Sequence, residues 1–241
     1  MSRRRRRELP TEPMVGRVER TDRRGRGIAQ VDDRTVYLPG TLPGETVRFQ
    51  YARRARRSDD GVVLEVLDAH PDRVVPRCPH FGVCGGCTSQ HLAATAQLAA
   101  AEAGLLDGLA RQGVVPESTA PPVLGPLWGY RRRARLAARY VPKKGGVLVG
   151  FRELGANFVA VMDQCEVLDP RVGRRITALK ALVDSLSIRE SVPQIEVALG
   201  DEDGGLVFRH LQPLGESDYE ALRAFEAMSG LRVYLQPGGL N

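Results

Sequence analysis

Cysteine, tryptophan and long apolar runs are what this chain has least of. Its 241 residues hold four cysteines, one tryptophan and 5% aromatics. No apolar run approaches the ~18 residues of a membrane span, so the sequence predicts a soluble protein with no membrane partner. The start, "MSRRRRRELP", is basic but leads into no apolar stretch, which excludes a secretory signal. Without export, four cysteines read as metal ligands or catalytic groups before disulfides, and the cytoplasm is the expected compartment.

What the chain does have is 42% hydrophobic residues, enough for one large domain or two small ones, and a net charge of +6. The charge sits at one end. Residues 1–60 hold 16 arginines against 9 acids, and the remainder holds 19 basic residues against 20 acids. A basic excess confined to one end predicts contact with a polyanion there. For the run Arg3–Arg7, a solvated tail with no role is the alternative.

From residue 14 to residue 68, short alternating stretches are separated by Gly- and Pro-containing turns. "MVGRVERTD", "IAQVDDRTVYLPG" around a turn at Asp32-Asp33, "TLPGETVRFQYARR" and "GVVLEVLD" predict about five strands, hence a small β-barrel of OB-like type. "HPDRVVP" interrupts the pattern. The Ala- and Leu-rich stretch from Ser89 to Gly113 then predicts a helix, with Ser89 as a possible cap and Leu92, Leu98, Leu105 and Leu109 near one face. After a Pro-rich connector, strands are expected at 131–141, 146–152, 158–163, 194–199, 206–211 and 232–235, and helices at 170–185 and 217–228. "YVPKKGGVLVGF" and "ALGDEDGGLVF" look like hairpins, so this part should be largely antiparallel. The expected fold class is therefore α+β: a basic tail (1–13), a barrel (14–68), a cysteine loop with its helix (69–115), and a central α+β domain (116–241).

Three cysteines cluster as Cys78-x5-Cys84-x2-Cys87, and Cys165 follows after 77 residues. Gly85 and Gly86 let the backbone turn tightly and aim two sulfurs at one point. Four thiolates hold either a tetrahedral zinc or an iron–sulfur cluster. Zinc ribbons usually bring two close pairs, whereas a cubane, with corners several ångströms apart, accepts three ligands from one loop and one from a distant segment. The spacing favours the cluster. For Cys165 alone, a buried thiol is a competing reading. His80 and His91 flank the set as packing or outer partners, since four thiols already suffice.

The segment "RCPHFGVCGGCTSQHL" closely resembles the cluster-binding segment of the bacterial 23S ribosomal RNA uracil-C5-methyltransferases that carry a 4Fe–4S cluster. "GRGIAQVDDRTVYLPGTLPGETV" looks like the N-terminal TRAM barrel of that family. "GYRRRARLAARYVPKKGGVLVGFRELGANFVAVMDQCEVLDP" looks like its central domain. The resemblance covers residues 14–236 and implies that Cys78, Cys84, Cys87 and Cys165 each ligate one iron of a structural cluster. It also implies S-adenosylmethionine as the cofactor of the full-length enzyme and 23S rRNA as its partner, with no DNA.

The chemistry of that family needs two things that are missing here. Carbon C5 of uracil is a weak nucleophile until a cysteine thiolate adds at C6; all four cysteines are assigned to the cluster. A cofactor site needs a Gly-rich turn between strand and helix, and none is present. The expectation is therefore a truncated enzyme: an RNA-recognition portion, without catalytic or S-adenosylmethionine-binding residues, lacking the Rossmann-like methyltransferase domain. A stand-alone RNA-binding module, with iron–sulfur or zinc, is the alternative.

For RNA contact, "WGYRRRARLAARY" sets Tyr130 beside Arg131, Arg133 and Arg135, which would share one face of a strand. Arg53, Arg54, Arg56 and Arg57 form a second patch on the barrel. Charge with aromatic stacking suits single-stranded RNA; a solvated face is the alternative. A monomer is expected.

Overall fold

The computed structural model describes residues 9–22 and 24–238; the run Arg3–Arg7 lies outside the described residues. Two compact units are present, Met1–Pro76 with Cys87–Thr119, and Arg77–Gly86 with Ala120–Asn241.

In the first unit, strands β1 (Met14–Thr21), β2 (Arg26–Val31), β3 (Arg34–Pro39), β4 (Thr46–Arg54) and β5 (Ser58–Asp68) close into a barrel in the order β1-β2-β3-β5-β4. Side-chain alternation drives the closure: along β4, Val47, Phe49 and Tyr51 are buried while Arg48 and Gln50 face out. With Val18, Ala29, Val36 and Leu38 they form the barrel core. The expected turn at Asp32-Asp33 is present, both residues being left-handed with φ of 50° and 59°, as a two-residue hairpin of this twist requires. Gly61 permits the crossing of β5 over the core, because a Cβ there would lie 2.7 Å from the side chains of Leu38 and Phe49.

Two buried carboxylates fix the barrel's connections. Arg34 donates to both oxygens of Asp59 at 2.8 Å. That pairing holds the Asp59 carboxyl below the usual range against the opposing effect of burial. Glu45, 1% exposed, accepts from Arg73 Nε at 2.5 Å and Nη2 at 2.8 Å. Burial alone would raise its pKa; the Arg73 bonds and the N–H groups of Leu42 and His70 outweigh this and lower it. Arg73 also donates to the Gly40 carbonyl, tying "HPDRVVP" to the barrel.

Helix α1 spans Ala94–Ala110. It starts later than expected: Ala93 is the cap and contributes no side-chain bond. Ser89 instead donates to Gln97 Oε1 at 3.3 Å. The leucine stripe is not a core face, since no α1 residue is buried and Leu105 is 64% exposed.

The second unit contains β6 (Arg133–Val141), β7 (Gly146–Gly150), β8 (Gln194–Leu199), β9 (Gly204–His210) and β10 (Arg232–Pro237), in the order β10-β9-β8-β6-β7. Both expected hairpins, β6–β7 and β8–β9, are antiparallel, as is β6–β8. The exception is β10, which returns parallel to β9 after a helix. Helices α2 (Pro170–Gly173), α3 (Ile176–Ser185) and α4 (Glu216–Ser229) complete the unit. Ile176, Leu179, Val183, Leu222 and Phe225 pack with Leu136, Val149, Ile195, Leu206 and Phe208 in one core.

Two expected elements differ. Residues 170–185 form two helices because the Gly173 carbonyl turns to accept Cys165 N–H at 2.8 Å. A Cβ on Gly173 would lie 2.4 Å from the Cys165 carbonyl oxygen. Residues 158–163 form no strand; only an isolated bridge joins Arg152 to Val159. Among the described residues no helix is long and apolar enough to cross a membrane.

Candidate functional site

The cysteine loop is held by backbone bonds that the glycines make possible. Cys84 N–H donates to the His80 carbonyl at 2.9 Å, Gly85 N–H to Arg152, and Leu154 N–H to Val83. Cys84 is the buried member and belongs to the core of the second unit. Gly86 N–H donates to its sulfur at 3.4 Å. A Cβ on Gly86 would lie 3.1 Å from the Phe151 ring and 3.3 Å from that sulfur, so the position has no room for a side chain.

Cys78 and Cys165 are half-buried and lie on segments clamped together by two pairs. Arg77 Nε meets Glu166 Oε2 at 2.9 Å, and His80 Nε2 lies 2.7 Å from Asp163 Oδ1. The His80 contact holds the Asp163 carboxyl below its usual range. Each clamp joins one residue near Cys78 to one near Cys165, so the segments that carry these two cysteines are held together. The sequence offered no sign of these clamps, which depend on two segments more than 80 positions apart crossing antiparallel. Arg77 also lies over the Trp128 ring at 5.2 Å. Cys87 is half-buried and opens the segment Cys87–Thr119 of the first unit. Among the described residues no three His, Cys, Asp or Glu side chains gather at metal-holding distances. His91, 2% exposed, lies 3.5 Å from the Thr41 carbonyl, and its pKa is lowered by burial.

The arginines separate into two kinds. Arg131 lies ahead of β6, where its Nη2 donates to the Gly86 carbonyl at 3.3 Å and its guanidinium sits 5.6 Å from the Phe151 ring centre. It therefore supports the cysteine loop and lies outside β6, which begins at Arg133, a difference from the expected strand. Arg133 and Arg135 are exposed on β6, Arg135 pairing with Glu196 at 3.4 Å. Tyr130 is 50% exposed. On the barrel, Arg53 pairs with Asp60 at 2.6 Å and Arg54 with Asp59 at 3.4 Å, while Arg56 and Arg57 stand exposed at the β4–β5 turn.

No protein-family model matches the chain. It is 52% identical to the 23S rRNA (uracil(1939)-C(5))-methyltransferase RlmD of Alkalilimnicola ehrlichii over 236 residues, 98% of this chain and 53% of that relative. Identity is 50% to the protein of the same name from Nitrosococcus oceani, covering 97% and 53% of the two chains. For the Bordetella pertussis protein it is 49%, covering 92% and 48%. The chain thus spans about half the length of the curated relatives it matches. Among solved structures, the fold is shared with the Pyrococcus abyssi tRNA (uracil-54, C5)-methyltransferase, solved with S-adenosyl-L-homocysteine. The TM-score is 0.57 at 21% identity, over 86% of this chain and 48% of that one.

Proposed function

We propose that this chain is the RNA-recognition portion of an S-adenosylmethionine-dependent 23S rRNA uracil-C5-methyltransferase, acting as a cytoplasmic monomer on RNA and not on DNA. The observation that carries the reading is identity near one half across almost the whole chain to proteins of that name. The closed barrel is then a TRAM domain, and the unit built on β6–β10 is the central domain. The cofactor site and the thiolate that adds to C6 of the uracil belong to the part of the relatives that this chain does not span.

Cys78, Cys84, Cys87 and Cys165 are proposed to hold a 4Fe–4S cluster. The donor chemistry fits: all four are sulfur, and the buried Cys84 already receives an N–H at its sulfur, the kind of bond that stabilises a cluster thiolate. The cluster supplies structure here and no electron transfer. The chain's own residues fix the loops around it through the Arg77–Glu166 and His80–Asp163 pairs.

Binding to a single-stranded RNA and to a DNA of the same sequence tests the reading. The RNA should bind more tightly, with log affinity falling linearly against log salt by about 0.7 for each phosphate contacted. Equal binding of both, or no RNA binding at low salt, would remove it.

A further inference from the structure

The sheet of the second unit has two unlike faces. Leu136, Ile195, Leu206 and Phe208 point to the helices, and the alternate residues point the other way. On that second face the register aligns side chains in rungs. One rung runs Arg133–Ala198–Gly205–Arg232, so two arginines bracket a floor with almost no side chain. The next runs Arg135–Glu196–Val207–Tyr234. Arg139 and Arg209 extend the same face further along the strands. On its strands five arginines stand with one acid, Glu196, whose pair with Arg135 is exposed and yields readily to a competing phosphate, while Asp203 and Glu226 lie within electrostatic reach of Arg232.

Tyr234 is the feature that sets this face apart from an ordinary solvated one. It is 50% exposed, yet one edge of its ring lies against the sheet: a Cβ on Gly205 would lie 2.7 Å from Cε2 and 3.1 Å from Cδ2. Only glycine at 205 leaves room for that pose, which leaves half of the residue exposed to solvent. The Tyr234 hydroxyl lies beside Arg232 and raises its pKa above the ordinary value.

We infer that this open face is a platform for single-stranded RNA, with a base stacked on Tyr234 and the flanking arginines on the phosphates. An exposed aromatic amid arginines is what single-strand recognition uses, because every base offers a π-face and every nucleotide a charge. The inference rests on the RNA reading above and deepens it by naming the sheet face and its stacking residue.

The test uses the 241-residue chain and a short single-stranded RNA carrying 5-iodouridine. Tyr234→Ala should weaken binding about 5- to 100-fold, while Tyr234→Phe, which keeps the ring, should bind nearly as the parent does. Gly205→Ala should weaken binding as well, by tilting the ring. Photo-crosslinking should join the RNA to Tyr234. If the parent binds RNA while Tyr234→Ala binds equally well and the crosslink falls elsewhere, the platform is overturned and the RNA reading stands. A parent that binds no RNA removes both. A dimer lost in Tyr234→Ala would assign the face to a second copy of the chain and overturn the platform.

Discussion

Cys84 shows how single residues define the thiol loop. Its sulfur is buried, its N–H is bonded to the His80 carbonyl, and Gly86 donates to it from two positions on. Replacing the thiol by a hydroxyl keeps the shape and removes the soft ligand. The chain purified without oxygen is expected to be brown, with about four irons and broad absorption from thiolate-to-iron transitions. Cys84→Ser should lose that colour and lower the stability of the second unit, because metal-binding energy is partly folding energy. A colourless parent containing one zinc would instead support the tetrahedral alternative.

At the scale of elements, the barrel carries its own pH response. Asp59 has a lowered folded pKa through Arg34, so its contribution is present above the unfolded value of about 4 and lost as pH falls through the lower folded value. Glu45 behaves alike. His91 is kept neutral by burial, so the unfolded chain takes up its proton first, and stability begins to fall below about pH 6.5. Amide exchange in β1–β5, corrected for intrinsic rates, should report a first loss of protection that begins below about pH 6.5 and a second below about pH 4. His91→Gln should flatten the first step; unchanged protection from pH 7 to pH 5 in the parent would contradict it.

These elements also mark what the sequence made legible. Alternation in "TVRFQY" and the pair Asp32-Asp33 foretold the barrel, because period and turn chemistry are local. The two hairpins of the second sheet were equally readable. The split after Gly173 was not, since it depends on the Cys165 backbone crossing close by. Nor was the parallel return of β10, which alone places Tyr234 beside Val207 and above Gly205. The thiol spacing was visible along the chain, but the clamps that join the Cys165 segment to the Cys78 segment are tertiary pairs.

For the whole molecule, the proposed reading makes recognition and chemistry separable. Every cysteine is committed to iron in this account, and among the described residues no Gly-rich turn joins a strand to a helix as an S-adenosylmethionine site would need. In the proposed reading, RNA affinity resides in the barrel and in the sheet face that carries Tyr234. One sample decides between the two halves of that statement: the purified chain with radiolabelled S-adenosylmethionine and a 23S rRNA fragment, scored for bound RNA and for methyl groups transferred. The account predicts RNA retained with no label incorporated. Label in uridine would contradict it, forcing one of Cys78, Cys84, Cys87 and Cys165 out of the cluster and into catalysis.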